Sequence, residues 1–85
     1  MSNELHSSAR ERLAYTRDDV AGLLQVSLRH VAAMNSSGRL PRPIRLGRAV
    51  RWLVDEFQEW LAAGAPARDK WDAMKAAKRE ESHHA

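Results

Sequence analysis

The chain has 85 residues, enough for one small domain built around a single core. It contains no cysteine, which excludes a disulfide framework and a thiolate metal site, and 44% of its residues are hydrophobic. Its formal net charge is +3, but the stretch from Val20 to Val54 contains six arginines and no acidic residue. Positive charge concentrated in this way is typical of proteins that bind polyanions, so we expect nucleic acid as the partner.

Residues 1–12 are mostly polar, and we expect them to form a disordered N-terminal segment. They also lack the apolar core of a signal peptide, and no run in the chain approaches the roughly 20 apolar residues of a membrane span. We therefore expect a cytoplasmic, nucleoid-associated protein that makes no contact with membranes.

A short helix over residues 17–24 is the first predicted element. Thr16 is placed to cap this helix, and Asp19, three residues later, can complete a capping box. The apolar stripe of the helix is expected to consist of Val20, Leu23 and Leu24.

A second helix is predicted over Leu28–Asn35, because Ser27 can cap it after a break of two residues. Val31 and Met34 are three residues apart and are expected to face inward. Gly38 suits the left-handed conformation that commonly follows the end of a helix. Two short helices joined by a turn of three or four residues form a helix-turn-helix arrangement.

A β-hairpin is predicted over residues 44–52, with a three-residue loop over Gly47–Ala49. This loop places all four apolar residues on one face by pairing Leu46 with Val50 and Ile44 with Trp52. The same register would place Arg45 directly opposite Arg51, with Arg48 at the tip. Because like charges opposite each other destabilise a sheet, such a pair would need an anion, and phosphate is the expected one.

A third helix is predicted to begin at Asp55, which is placed to cap it, and to end at Gly64 and Pro66. The residues expected to pack it against the hairpin are Phe57, Trp60 and Leu61. A final stretch over 66–82 is predicted to be helical and only partly packed. Its Trp71 can dock either on the core or on a second copy of the chain, and the sequence leaves both open.

Three segments in the right order and spacing carry a resemblance to a known family: DDVAGLLQVS, SGRLPRPIRLGRAVRW and DEFQEWL. Together they resemble the small winged helix-turn-helix proteins of the excisionase and AlpA type, which are related to the MerR DNA-binding domain. The resemblance covers about residues 13–62. It implies a mainly α fold with a small β-hairpin, as a winged helix-turn-helix domain over 13–64. Beyond this domain we expect a helical extension and tail over 65–85.

The resemblance also implies a function. Family members place the second helix in the DNA major groove and the wing against the adjacent backbone or minor groove. Some are recombination directionality factors, which bend DNA so that an integrase excises, and others regulate transcription of mobile-element or prophage genes. The implied partner is double-stranded DNA, with an integrase and head-to-tail copies of the chain as candidate further partners.

The candidate DNA-binding residues form two groups. Those on the recognition helix are Ser27, Arg29, His30 and Ala33. Those on the wing and its approach are Arg39, Arg42, Arg45, Arg48 and Arg51. Arg29 can pair with guanine O6 and N7. Two arginines have a second role open to them: Arg39 can cap the end of the second helix, and Arg51 can brace the third helix through Asp55 or Glu56.

Other kinds of site have weaker support. A stacking platform for single-stranded nucleic acid is also disfavoured, because the spacing of the aromatic residues places them in the core. These residues are Trp52, Phe57 and Trp60. A metal site formed by histidines is disfavoured, because the adjacent pair near the C-terminus lacks a suitably spaced third ligand. The histidines concerned are His6, His83 and His84. Acidic residues lie at helix starts, where capping explains them, and no nucleophile, base and orienting group come together. We expect no enzyme activity, cofactor, metal or small-molecule ligand.

Within DNA binding, the sequence favours an excisionase and leaves an AlpA-type transcriptional regulator open, because both need the same DNA contact. A protein-interaction module with a vestigial DNA face is a further alternative, in which the segment from Pro66 would carry the function. RNA is disfavoured as a partner because the major groove of an A-form helix does not admit a recognition helix.

Overall fold

The structure is a computed structural model that describes residues 13–84, with side chains described up to residue 80. Its elements in chain order are β1 (Ala14–Tyr15), α1 (Arg17–Leu24), α2 (Leu28–Ser36), β2 (Ile44–Leu46), β3 (Ala49–Leu53), α3 (Val54–Ala62) and α4 (Arg68–His84). Within this part of the chain, four helices and an antiparallel sheet of strand order β1-β3-β2 form the predicted winged helix-turn-helix. The disorder predicted for residues 1–12 lies outside the described residues.

Both predicted caps of the helix-turn-helix are confirmed. The Thr16 hydroxyl accepts from the backbone N–H of Asp19 at 3.0 Å, while the backbone N–H of Thr16 donates to the Asp19 carboxylate at 2.9 Å. At the start of α2, the Ser27 hydroxyl accepts from the backbone N–H of His30 at 3.0 Å. These bonds satisfy amide donors that have no partner inside their own helix.

Three helices end in the same way, with a left-handed residue just past the helix. After α2 this residue is Gly38, at φ 75°, and the backbone N–H of Arg39 donates back to the Met34 carbonyl at 2.8 Å. After α3 it is Gly64, at φ 97°. After α1 it is Gln25, at φ 57°, a conformation that is unfavourable for a residue with a side chain.

The hairpin forms where predicted, but its predicted register is wrong by one residue. The observed pairs are Ile44 with Arg51, Arg45 with Val50, and Leu46 with Ala49. They leave a loop of two residues, Gly47 and Arg48, and the φ of 67° at Gly47 is typical of a type II′ turn. Arg45 and Arg51 therefore lie on opposite faces of the sheet, so the predicted repulsive pair is wrong. Phosphate binding by the wing arginines does not depend on that pair and stays a prediction.

The register prediction failed because it assumed a core beneath both strands of the hairpin. Strand β3 does lie over the core, where Val50 and Trp52 are buried. Strand β2 is the outer strand, and all three of its residues are exposed. Ile44 and Leu46 therefore lie on the outward face of the sheet, and the turn geometry sets the register instead.

A short first strand, absent from the predictions, changes how α3 begins. Tyr15 pairs with Trp52, and the ladder continues as the backbone N–H of Val54 donates to the Leu13 carbonyl at 2.9 Å. Helix α3 thus begins directly from β3, with Leu53 at the capping position and no side-chain cap. The prediction that Asp55 caps this helix is wrong, because Asp55 lies within its first turn.

The core gathers residues from all four helices and from β3. Its buried members are Val20, Ala21, Val31, Leu40, Val50, Trp52, Phe57, Trp60 and Trp71. Met34 is partly buried against it, as predicted. Leu23 and Leu61 were expected inside but are 50% and 41% exposed, since each lies on the solvent side of its helix. Trp71 docks on the core of its own chain, one of the two arrangements that the sequence left open.

Candidate nucleic-acid interface

Helix α2 presents its polar residues to solvent. Val31 anchors the helix and is fully buried, while Arg29, His30 and Ala33 are exposed on the other side. The side chains of Arg29 and His30 make no hydrogen bond or ion pair with any residue that the structure describes. Ser27 is also exposed, and its hydroxyl is engaged in the cap. The predicted recognition-helix residues therefore share one accessible surface.

A groove of about 280 Å³ separates the wing tip from the start of α2. The residues lining it are Arg17, Asp18, Leu28, Arg48, Ala49, Val50 and Arg51. Three guanidinium groups and one carboxylate make its lining net positive. The fold therefore brings the wing arginines Arg48 and Arg51 next to the first turn of the recognition helix, as a DNA-binding face requires.

Arg51 is held against the wing and does not brace α3. One of its terminal nitrogens donates to the Val50 carbonyl at 2.8 Å, and the side chain is half-buried. Among the described residues it makes no ion pair with Asp55 or Glu56. The Glu56 carboxylate instead accepts from the Trp71 indole and from the ammonium group of Lys75.

Arg39 and Arg42 lie apart from the other wing arginines, on the side of α4. Arg42 donates to the Asp72 carboxylate at 2.9 Å, so part of its charge is neutralised within the chain. Arg39 borders a hollow beside Trp60 and Ala65. Its backbone N–H closes the end of α2, whereas its guanidinium bonds to no residue in the described part of the chain.

Sequence reasoning missed two arginines of this region. Arg17, the first residue of α1, lines the groove beside Arg48, although nothing in its local sequence marks it as different from a solvated helix start. Arg68, the first residue of α4, donates to the Asn35 side chain at 2.8 Å and to the Leu40 carbonyl at 2.9 Å. Because these contacts join residues about 30 positions apart, local pattern gives no signal of them.

The helices and wing correspond to a known family. A family model described as a helix-turn-helix domain matches residues 14–65, more than half of the chain. The chain belongs to the helix-turn-helix domain family. Family membership makes it a DNA-binding protein, in agreement with the exposed α2 surface and the basic groove. No curated protein and no solved structure matches the chain.

The match to the helix-turn-helix family covers α1 to α3 and the wing, and it ends before α4 begins at Arg68. Among the side chains that the structure describes, no cluster of three or more His, Asp or Glu is placed to hold a metal. The side chains of His6, His83 and His84 lie outside that part, so the prediction made for them stays a prediction. In the described part of the chain, every helix is too short or too polar to span a bilayer.

Proposed function

We propose that the chain is an excisionase, a recombination directionality factor that binds specific sequences at attachment sites. By bending this DNA it would direct an integrase towards excision. One observation carries the DNA-binding part of the proposal: the exposed surface of α2 and the arginines of the wing tip adjoin across one groove whose lining is net positive. This geometry supports DNA binding, and the excisionase role is proposed from the sequence resemblance.

The two parts of this face would have different tasks. In the first turn of α2, Arg29 is placed to read a guanine in the major groove, where a bidentate contact is specific. Arg48 at the wing tip would contact the backbone or enter a narrow, A·T-rich minor groove. Arg17 and Arg51, on the walls of the groove between them, would hold the intervening phosphates.

The small size of the domain supports binding in tandem. A single module buries about 600–1,000 Å² on DNA, which gives one copy little specificity. Several copies on adjacent repeats would supply both specificity and a cumulative bend.

Footprinting of the purified protein on DNA flanking its gene tests the proposal. We expect protection of several direct repeats near an attachment site, with bending shown by a circular-permutation gel assay and stimulated excision when the integrase is added. One isolated half-site bound tightly by a monomer would contradict the proposal. Protection of a promoter without bending, and without effect on excision, would identify a regulator of AlpA type instead.

Base reading and backbone contact are separable in the same assay. Arg29→Ala should change which bases are preferred at one position of the site. Arg48→Ala should weaken binding to all sequences by a similar factor. If both variants bound like the parent chain, the assignment of α2 and the wing to the grooves would be wrong.

A further inference from the structure

The start of α4 is joined to the end of the recognition helix by one arginine. Arg68 donates through Nε to the Leu40 carbonyl at 2.9 Å and through one terminal nitrogen to the Asn35 side-chain oxygen at 2.8 Å. The same nitrogen reaches the Asn35 carbonyl at 3.2 Å. The backbone N–H of Arg68 adds a bond to the Gly38 carbonyl at 2.9 Å. All four bonds fall on the last turn of α2 or on the loop that follows it.

Only one of these four acceptors is a carbonyl of the helix end. The last carbonyls of an α-helix have no partner within the helix, and the Asn35 carbonyl is one of them, although it also accepts from the backbone N–H of Gly38 at 3.3 Å. The other three acceptors are the Asn35 side-chain oxygen and the loop carbonyls of Gly38 and Leu40. A guanidinium group presents its donors in a fixed planar fork, so bonds to several acceptors restrict both position and angle. Arg68 therefore fixes the last turn of α2 relative to the segment that leads into the wing.

The start of α4, which carries Arg68, is itself held in place by packing and hydrogen bonds. One turn beyond Arg68, Trp71 is only 5% exposed and belongs to the core. Its indole N–H donates to Glu56 of α3 at 2.9 Å, and Lys75 binds the same carboxylate. Helix α4 is thus fastened to α3 on one side and to the end of α2 on the other.

We infer that Arg68 is a positioning residue for sequence reading, which sets the tilt of α2 against the wing without touching DNA. Hydrogen bonds to base edges need side chains held within about 0.5 Å of the productive geometry, so a small change in tilt separates good readout from poor readout. The inference rests on the proposed function in one respect, because it requires α2 to read bases. Arg68 lies beyond the segment of residues 14–65 that matches the family model.

The test compares Arg68→Met and Arg68→Lys in the full chain, at a temperature well below unfolding. The measured quantities are dissociation constants for the best footprinted site, for a site with one substituted base pair, and for unrelated DNA. We expect discrimination between the first two to fall roughly 5- to 100-fold, the range that one well-aligned base contact supplies. Arg68→Lys should lose discrimination as well, because an ammonium group keeps the charge and lacks the fork.

Two further variants separate positioning from other roles. Lys70→Met removes an exposed cation from the same turn of α4 and should leave discrimination unchanged, which makes it the matched control. Asn35→Ala removes one acceptor of Arg68 and leaves the carbonyls in place, so discrimination between the two sites should fall in the same direction but by a smaller factor. When Asn35→Ala is added to Arg68→Met, discrimination should fall little further.

Three outcomes would overturn the inference. Arg68→Met could show the circular dichroism spectrum of a folded chain and still discriminate between the two DNA sites as the parent does. The salt dependence of its binding could fall by the amount of one phosphate contact, which would place Arg68 on the DNA. Specific and non-specific binding could weaken by one common factor, as a purely structural role predicts. If Arg29→Ala also left base preference unchanged, the proposed function would have failed, and not the inference about Arg68 alone.

Discussion

At the end of α1, a glutamine occupies the left-handed position that favours glycine, and a glycine occupies a position inside the helix that disfavours it. Gln25 adopts φ 57° and ψ 48°, the conformation that glycine supplies after α2 and α3. Gly22 lies inside the helix, where glycine is the least favourable residue after proline. A β-carbon added at Gly22 would meet nothing within 4 Å, so close packing does not account for this glycine.

Gly22→Ala should therefore stabilise the chain by about 1 kcal/mol, because alanine restricts the unfolded chain and finds open space in the helix. In thermal denaturation this corresponds to a rise in Tm of about 4–8 °C for a domain of this size. The matched control is Gly64→Ala, which should lower Tm, since φ 97° is strained for any side chain. A lower Tm for Gly22→Ala would contradict the open environment.

The capping residues give a second prediction at this scale. Thr16→Ala should cost about 1 kcal/mol of unfolding free energy in a urea titration, because it removes the hydroxyl that accepts from Asp19. Thr16→Ser should retain most of that stability. Asp55→Ala should cost clearly less than Thr16→Ala, since the Asp55 side chain makes no capping bond. Equal costs for the two alanine variants would contradict the structure of the α3 start.

At the scale of elements, the capping signals of the helix-turn-helix were read correctly, whereas the hairpin register and the start of α3 were not. The caps at Thr16 and Ser27 and the stop at Gly38 depend on residues within one turn, so the sequence contains them. The register of β2 follows the two-residue Gly47-Arg48 turn, a local signal that the assumption of a core beneath that strand overrode. The start of α3 depends on a strand pairing with Leu13, about 40 residues earlier. No short-range pattern carries that pairing.

Helix α4 lies beyond the family match and yet completes the core, which leads to a third prediction. Trp71→Ala should destabilise the chain by roughly 3–5 kcal/mol, the usual cost of removing a buried tryptophan. Met74→Ala on the same helix is the control and should cost much less, because Met74 is 39% exposed. The measurement is unfolding free energy from urea titration. Similar small losses of unfolding free energy for both variants would show that α4 does not contribute to the core.

At the scale of the whole molecule, the charge distribution along the sequence predicts the candidate site. It does not predict which arginines lie on that site and which lie elsewhere. The acid-free stretch from Val20 to Val54 predicts the basic face from the sequence alone. The fold then divides its arginines, since Arg48 and Arg51 meet the start of α2 while Arg42 pairs with Asp72 on α4. Arg17 joins the face from outside that stretch. Such a division depends on long-range packing.

The central claim is that the wing-tip arginines bind DNA phosphates, and the salt dependence of binding tests it most directly. The logarithm of the association constant falls with the logarithm of salt concentration by about 0.9 for each phosphate contact. For the parent chain, with the three contacts assigned to Arg17, Arg48 and Arg51, we predict a slope of roughly −3. Arg48→Ala should reduce its magnitude by about 0.9. Arg42→Ala should change it less, because Asp72 already pairs with Arg42. A flat salt response in the parent, or equal slopes for the parent and Arg48→Ala, would contradict the claim.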